Sequence, residues 1–209
     1  ARLVVLNAMA AREKGAHVHS RTRCVSARRS KGLWHIHLER SDGSLFSIRA
    51  RALVNAAGPW VARFIREDLK QESPYGIRLI QGSHIVVPRT TDREYQGDPA
   101  KVAISAEETD YLLNVVNAHF KKQLTHDDIL HTYAGVRPLC DDESDDPSAV
   151  TRDYTLSLSG HPGEAPLLSV FGGKLTTYRK LAESALVQLA PFFPKMGPRW
   201  TASSLLPGA

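Results

Sequence analysis

The sequence predicts a mixed α/β and α+β fold. Two apolar stretches, within residues 50–61 and 169–179, each run into small residues and then into a helical pattern. Elsewhere, short alternating segments follow one another along the chain, which is typical of antiparallel sheets. Strand–turn–helix units are typical of α/β layers and alternating runs of α+β layers, so both are expected here.

Apolar spacing and turn residues define the elements of the first part of the chain. A helix is expected over residues 3–10 and is closed by Lys14 and Gly15. Three alternating strands then form an antiparallel meander, with a tight turn at Asp42 and Gly43. These strands are expected at residues 18–30, 33–40 and 44–49.

The same kinds of signal define the elements in the rest of the chain. Helical spacing predicts helices, alternation predicts strands, and a capping pattern predicts a short helical turn at residues 125–128. The expected helices cover residues 60–69, 107–120 and 175–189, and the expected strands cover residues 76–87, 129–136 and 154–158.

Two glycines near the end of the chain indicate a ligand-binding turn. An apolar strand at residues 167–171 leads into Gly172 and Gly173, which allow backbone to approach a ligand closely. A helix then begins near Leu175, and the exposed N–H groups of a helix start attract anionic or electron-rich groups. Paired glycines also occur in ordinary helix-entry turns, and this alternative stays open.

A second strand end is cleared of side chains. Ala56, Ala57 and Gly58 follow an apolar strand, so a flat group can lie against their backbone. Pro59 fits the first turn of the helix that follows. The chain therefore has two strand ends that a ligand can approach.

Composition places the chain among globular proteins. Hydrophobic residues make up 42% of its 209 residues, and no run of 18 apolar residues occurs. The two cysteines, Cys24 and Cys140, are far apart, so neither a disulfide framework nor a zinc site is expected and a reducing compartment is favoured. The net charge of +5 suits phosphorylated small molecules, nucleic acid or anionic lipid as partners.

Two charged clusters have ordinary interpretations. Five basic residues at positions 21–31 alternate like the wet face of a sheet and lack interleaved aromatic residues, which favours a solvated surface over a nucleic-acid site. The acidic run at residues 141–146 lacks the glycine and the ligand spacing of an EF-hand loop. It is expected to be a solvated loop, and no metal site is predicted.

Four segments together resemble one enzyme family. They are residues 50–61, 73–88 and 169–179, and the run Gly135-Val136-Arg137-Pro138-Leu139. Over essentially the whole chain, these motifs are similar to those of the FAD-dependent, respiratory glycerol-3-phosphate dehydrogenases. The resemblance implies part of a Rossmann-like FAD-binding domain, without its first βαβ unit, and an antiparallel-sheet substrate-binding domain, as in the amino-acid-oxidase-like flavoprotein fold.

The resemblance also implies domain limits. Residues 1–72 would form a partial FAD-binding domain, residues 73–160 the substrate-binding domain, and residues 161–199 a return to the FAD-binding domain. Residues 200–209 would link to a C-terminal domain that is missing here. The family has further chain at the position of Arg89 and Thr90, so a missing piece is expected there.

One motif of flavoenzymes is missing from this chain. Rossmann-type FAD domains hold the pyrophosphate over a G-x-G-x-x-G turn, and no such fingerprint occurs in the 209 residues. The chain alone is therefore expected neither to hold FAD tightly nor to turn over substrate.

The implied reaction oxidises the C2 alcohol of sn-glycerol 3-phosphate to dihydroxyacetone phosphate. Hydride passes to FAD and electrons pass on to a membrane quinone. The intact enzyme is then expected in the cytoplasm, peripherally bound to the cytoplasmic face of the inner membrane, with a homodimer as one assembly left open. No nucleic acid is expected as a partner.

Four residues match the family's substrate site. Arg137 offers a guanidinium fork for phosphate, and Gly135 and Pro138 would hold the strand end in a defined turn, although a surface salt bridge is the ordinary role of such a residue. His84 is the candidate base, because imidazole titrates near neutral pH. Lys174 would stabilise reduced flavin or contact substrate, or else lies in solvent at the helix start. Arg152 is a reserve substrate ligand that can instead pair with Asp153.

The cofactor contacts are also transferred from the family. Small residues on the FAD side and residues near the flavin ring and ribityl chain make up this set. They are Ala56, Ala57 and Gly58 on the FAD side, and Gly172, Gly173, Lys174, Leu175 and Thr176 near the ring.

Two other functions remain as alternatives. A related FAD-dependent amine or amino-acid oxidase would also use an arginine, for a carboxylate. A non-catalytic basic module would bind nucleic acid through residues 21–31, with a steep dependence on salt.

Overall fold

The computed structural model describes residues 2–85, 93–140, 153–161 and 163–208 of the chain. Within these ranges the helices are α1 (Arg2–Glu13), α2 (Val61–Glu67), α3 (Ala106–Asn117) and α4 (Tyr178–Leu189). The strands are β1 (Thr22–Ser30), β2 (Leu33–Arg40), β3 (Leu45–Ala50), β4 (Leu53–Asn55), β5 (Ile77–Ile85), β6 (Arg93–Glu94), β7 (Thr132–Cys140), β8 (Tyr154–Ser159) and β9 (Leu167–Gly172). They form three three-stranded sheets, in the orders β1-β2-β3, β4-β9-β8 and β6-β5-β7.

The chain divides into two compact units. The first contains residues 1–53, 158–168 and 178–209, and the second contains residues 54–157 and 169–177. Strands β4, β8 and β9 each pass from one unit into the other. The domain limits expected from the family resemblance stay a prediction.

The first unit contains the expected antiparallel meander. Strands β1, β2 and β3 pair in sequence, and Gly43 adopts a φ of 81° in the turn before β3. Trp34 is fully buried, and its indole N–H donates a hydrogen bond of 2.9 Å to the carbonyl of Pro166. Helix α1 ends before Gly15, whose φ of 88° is the left-handed conformation that favours glycine at a helix end.

The basic residues of β1 lie on both faces of the meander. Arg28, His35 and Arg49 form one cross-strand row, which lines an open cavity of about 640 Å³. Arg29 lies on the other face, where its guanidinium stacks 4.7 Å from the centre of the Trp34 ring and donates to the carbonyl of Ala165. One of the five basic residues therefore has a structural role rather than a solvated one.

The second unit contains the long strand expected near residues 76–87. Strand β5 pairs with β7 along its whole length and with the short strand β6. Helix α3 begins with a complete capping box, in which Ser105 and Glu108 each accept a hydrogen bond from the other's backbone N–H. Leu112 and Leu113 of this helix lie in a small apolar cluster.

Strand β9 is buried over nearly all its length. Each residue from Leu167 to Phe171 is at most 7% exposed, as expected from a stretch that is apolar at every position except Ser169. The N–H of Leu53, the first residue of β4, donates to the carbonyl of Pro166, which directly precedes β9. The two neighbouring strands therefore start at the same end of the sheet.

Two expectations about local structure need correction. Strand β7 continues through Cys140, so Arg137 and Pro138 lie inside a strand and not in a turn at its end. Pro138 is tolerated because β7 is an edge strand of the described sheet and loses no pairing on its outer side. The final α-helix begins at Tyr178, after a 3₁₀ turn at Leu175–Thr177.

Some expectations fall on residues outside the described ranges. The junction between Arg89 and Thr90, the acidic run at 141–146 and the reserve ligand Arg152 all lie there. Among the helices that are described, none is long and apolar enough to span a bilayer.

Candidate functional site

One face of the β5–β7 pair contains both His84 and Arg137. Residues at facing register positions of an antiparallel pair lie on the same side of the sheet. Three successive pairs share this face: Ile80 with Arg137, Gly82 with Gly135, and His84 with Tyr133. Arg137 is half-buried, Gly135 is exposed and Tyr133 is 54% exposed. The phosphate ligand and the base expected from the sequence are thus separated by a pair of glycines.

The opposite face of β5 holds a buried polar cluster. The side-chain nitrogen of Gln81 lies 2.9 Å from a carboxylate oxygen of Glu108, 2.9 Å from the hydroxyl of Ser83 and 3.1 Å from the carbonyl of Ala103. Gln81 and Glu108 are only 6% and 7% exposed. The same carboxylate oxygen accepts the N–H of Ser105. This cluster ties the start of α3 to the middle of the strand that contains His84.

The strand end at Asn55 is held by its own side chain. Asn55 is 4% exposed, and its side-chain nitrogen donates a hydrogen bond of 3.0 Å to the carbonyl of Val61. Its side-chain oxygen accepts the N–H of Ala57 at 3.3 Å. Both hydrogen bonds fix the turn that leads from β4 into α2.

The small residues in this turn leave open space. Gly58 has a φ of 55°, and a β-carbon added to it would meet no heavy atom within 4 Å among the described residues. Ala56 is exposed and Ala57 is half-buried. The turn therefore has space for a flat group against its backbone, and binding of FAD there stays a prediction.

Gly172 is required for a different reason. Its φ is 78°, and a β-carbon there would lie 2.7 Å from the carbonyl oxygen of Asp153, 3.6 Å from that of Pro138 and 3.7 Å from the backbone nitrogen of Cys140. The missing side chain makes room for the chain's own backbone. Gly173 also has a positive φ, of 109°.

Both strand ends adjoin β7. The turn at Gly58–Trp60 contacts this strand, and the β-carbon position of Gly172 lies against its last residues. Strands β4 and β9 are themselves neighbours in one sheet. The two turns expected to bind the cofactor therefore lie close to the strand that contains Arg137.

The remaining candidates lie at the start of the last helix. Lys174 precedes the 3₁₀ turn, and its carbonyl accepts the N–H of Thr177. Leu175 is 69% exposed and Thr176 is exposed, so all three side chains face solvent in this chain. For His84, the structure describes the backbone position only.

Sequence reasoning missed two sets of positioning residues. The role of Asn55 had a weak signal, because asparagine commonly bonds to backbone two residues further on. Gln81 and Glu108 had none, since a glutamine in a strand and a glutamate in a helix are ordinary surface residues until the fold brings them together.

Comparison with known proteins gives the family. Residues 1–101 match the family described as FAD dependent oxidoreductase. The whole chain is 72% identical to a glycerol-3-phosphate dehydrogenase of Pseudomonas aeruginosa and 54% identical to the aerobic glycerol-3-phosphate dehydrogenase of Escherichia coli. It is also 44% identical to a D-erythritol 1-phosphate dehydrogenase of Brucella abortus. The chain spans about half the length of these relatives, 47% of the first and 48% of the other two.

The relatives are longer than this chain within the matched region. The alignment with the P. aeruginosa protein extends over 239 positions, 30 more than the chain has residues. That protein therefore has residues without a counterpart here. That these residues belong between Arg89 and Thr90 stays a prediction.

A solved structure supports the fold. The dithionite-reduced L-α-glycerophosphate oxidase of Mycoplasma pneumoniae, with FAD bound, matches 96% of this chain and 58% of its own with a TM-score of 0.64. The two sequences are 14% identical, so this likeness concerns the fold alone. With the relatives above, it confirms the fold expected from the sequence, and the chain is similar over its whole length to glycerol-3-phosphate dehydrogenases.

Proposed function

We propose that the complete protein containing this chain oxidises sn-glycerol 3-phosphate to dihydroxyacetone phosphate, with FAD as the hydride acceptor. The similarity to the P. aeruginosa and E. coli dehydrogenases supports the reaction. The observation that carries the site is the β5–β7 register, which puts Arg137 and His84 on one face with only glycines between them.

Arg137 binds the phosphate. A guanidinium offers parallel N–H donors whose spacing matches two oxygens of a phosphate. The pairing of Arg137 with Ile80 in the middle of the strand fixes its backbone, so less freedom is lost on binding than at a mobile turn. The substrate is thereby oriented with its carbon chain along the sheet, towards Gly135.

His84 takes the proton of the C2 hydroxyl. Oxidation of the alcohol breaks the O–H bond and the C2–H bond, so a proton and a hydride leave and a C=O double bond forms. Neutral imidazole accepts the proton, and protonated imidazole returns it to solvent after each cycle. FAD, when bound, supplies the two-electron acceptor for the hydride.

The residues present fit FAD. The open space at Gly58 and the exposed Ala56 admit a flat group against the backbone. Lys174 lies at the start of a helical turn, where a cation is unfavourable unless an anionic partner is near. These residues would hold the cofactor together with parts of the protein outside this chain.

The later path of the electrons is also part of the proposal. A membrane quinone takes them from the reduced cofactor, and the complete protein works at the cytoplasmic face of the inner membrane. The name of the E. coli relative, an aerobic dehydrogenase, supports a respiratory acceptor.

Two related substrates compete with this assignment. The B. abortus relative is named for a four-carbon polyol phosphate, D-erythritol 1-phosphate. An amino acid would bind the same arginine through its carboxylate. The phosphate-binding reading is favoured because the relatives named here act on phosphate esters.

Steady-state kinetics with a quinone analogue test the proposal. The complete, FAD-loaded protein is assayed with sn-glycerol 3-phosphate, D-erythritol 1-phosphate and a panel of amino acids. We expect the highest kcat/KM for sn-glycerol 3-phosphate and no oxidation of amino acids. Preferred oxidation of an amino acid would refute the proposal, and preference for the erythritol ester would change the substrate but keep the mechanism.

A further inference from the structure

Two glycines face each other in the middle of the β5–β7 pair. Gly82 and Gly135 occupy the same register position, and the pairing around them is continuous, without a bulge. Neither has a positive φ, so the backbone does not require glycine at either position. A turn or a bulge therefore does not account for them.

Close packing does not account for Gly135 either. A β-carbon added to this residue would meet no heavy atom within 4 Å among the residues that the structure describes. Gly172 is the contrast, since its missing side chain is filled by neighbouring backbone. Glycine inside a strand weakens the sheet, because it adds chain entropy to the unfolded state and packs no side chain. At Gly135 this loss of stability is not offset by close packing against any described residue.

The open space lies between the two groups that the proposed reaction needs. Arg137 is two residues from Gly135 along β7, and Tyr133, which faces His84, is two residues away on the other side. Strand residues rise about 3.4 Å each, so the rows of Arg137 and Tyr133 are about 14 Å apart. Gly135 adds no side chain between these rows, and the open space at its β-carbon position leaves room for a short carbon chain.

We propose that Gly135 determines substrate specificity by setting how much bulk fits between the phosphate and the reacting carbon. This inference rests on the proposed function, because it takes Arg137 as the phosphate ligand. The chemical class is a short-chain polyol phosphate, lying with its carbons over the backbone of Gly135. A side chain at this position takes the space that the carbon chain needs.

Substitution of Gly135 in the complete, FAD-loaded enzyme tests the proposal. The variants are Gly135→Ala and Gly135→Val, compared on a three-carbon and a four-carbon polyol phosphate. One methyl group in a pocket changes discrimination by about 10-fold or more, so Gly135→Ala is expected to raise KM for the three-carbon ester by about that factor. The four-carbon ester and the Val variant are expected to lose more.

Stability separates this role from a structural one. Among the described residues no heavy atom lies within 4 Å of the β-carbon that either substitution adds, and alanine or valine suits a strand better than glycine does. The melting temperature is therefore expected to stay the same or rise while KM rises. Gly197→Ala is the matched control, because Gly197 also has open space and no positive φ but lies in the other unit.

Each outcome is decisive. If the parent enzyme oxidises polyol phosphates and Gly135→Val keeps the parent kcat/KM on both, the inference is wrong and the proposed function stands. A lower melting temperature with an equal loss on both esters would assign Gly135 a structural role instead. If the parent oxidises no polyol phosphate, the proposed function falls and takes this inference with it.

Discussion

Arg137 shows how the structure changes the physical account of a single residue. The sequence motif suggested an arginine held in a turn, but the side chain projects from an edge strand and is half-buried. Its neighbour on the same face, Arg78, already forms a salt bridge of 3.4 Å with Glu94. Both arginines lie on the same face of one sheet, so Arg78 can serve as the control for Arg137 in experiments.

Replacement of Arg137 by lysine is expected to weaken substrate binding. Lysine keeps the positive charge but loses the fork of donors, and each charge-assisted hydrogen bond contributes about 1.5–3 kcal/mol. KM for sn-glycerol 3-phosphate should rise by about 10-fold or more with a smaller change in kcat, as measured by steady-state kinetics. Arg78→Lys is the control and should leave KM unchanged. Equal effects of both substitutions would contradict the role of Arg137.

Replacement of His84 by asparagine should affect the chemical step. General base catalysis contributes about 10²–10⁴-fold to a rate, so kcat should fall by a factor in that range while KM changes little. The parent rate should decline at acidic pH, where a protonated imidazole can no longer accept a proton. His84→Asn should lose this decline, whereas His119→Asn, at an exposed position in the turn after α3, should retain it. A parent profile that is flat through this range argues against histidine as the base.

At the scale of elements, the strand ends depend on buried polar side chains. Asn55 links the end of β4 to the first residue of α2, and Gln81 links β5 to the start of α3. Both side chains are nearly inaccessible to water, so each lost partner leaves a buried polar group unsatisfied. These links hold the turn after β4 and strand β5 in place.

Asn55→Ala is expected to destabilise the protein. The change removes the donor to Val61 and the acceptor for Ala57, at a cost of about 1–3 kcal/mol for buried groups left without partners. The melting temperature of the complete protein should fall, and FAD should be lost more readily because the turn at Gly58 loosens. Asn114→Ala, at an exposed position on α3, is the control. An unchanged melting temperature for Asn55→Ala would show that the turn does not need this link.

A second element is linked to the chain end in a pH-dependent way. The hydroxyl of Thr201 donates to Glu183 of α4, and this hydrogen bond, with the nearby Arg179, holds the pKa of Glu183 below its usual value. A carboxylate whose pKa is lowered by folding stabilises the folded state above its unfolded pKa, about 4.3. That contribution is lost as pH falls through the lowered folded pKa. Thr201→Val should therefore lower the melting temperature at pH 7, and the difference should shrink below about pH 4. A difference that stays constant into acid would contradict this link.

At the scale of the whole molecule, the sequence predicts local elements better than their environment. The meander, the buried strand β9 and the capped start of α3 follow from periodicity and turn residues, because these signals are local. The extension of β7 through Pro138 could not be predicted, since an edge strand tolerates proline and edge position depends on long-range pairing. The open face at Gly135 and the backbone contact at Gly172 look alike as sequence, and only packing tells them apart.

The isolated 209-residue chain is expected to be colourless and inactive. In the proposed function the turns at Gly58 and Gly172 and the side chain of Arg137 supply part of a flavin and substrate site, but the sequence has no G-x-G-x-x-G turn to bind the pyrophosphate of FAD. Without that anchor the cofactor loses its strongest anion contacts, which come from the N–H groups at a helix start. Purified chain mixed with FAD and passed through a desalting column should retain no flavin absorbance, and it should not reduce a quinone analogue in the presence of sn-glycerol 3-phosphate. A complete relative such as the P. aeruginosa enzyme, treated in the same way, is the positive control. A yellow, active 209-residue chain would contradict this expectation and show that the missing motif is dispensable.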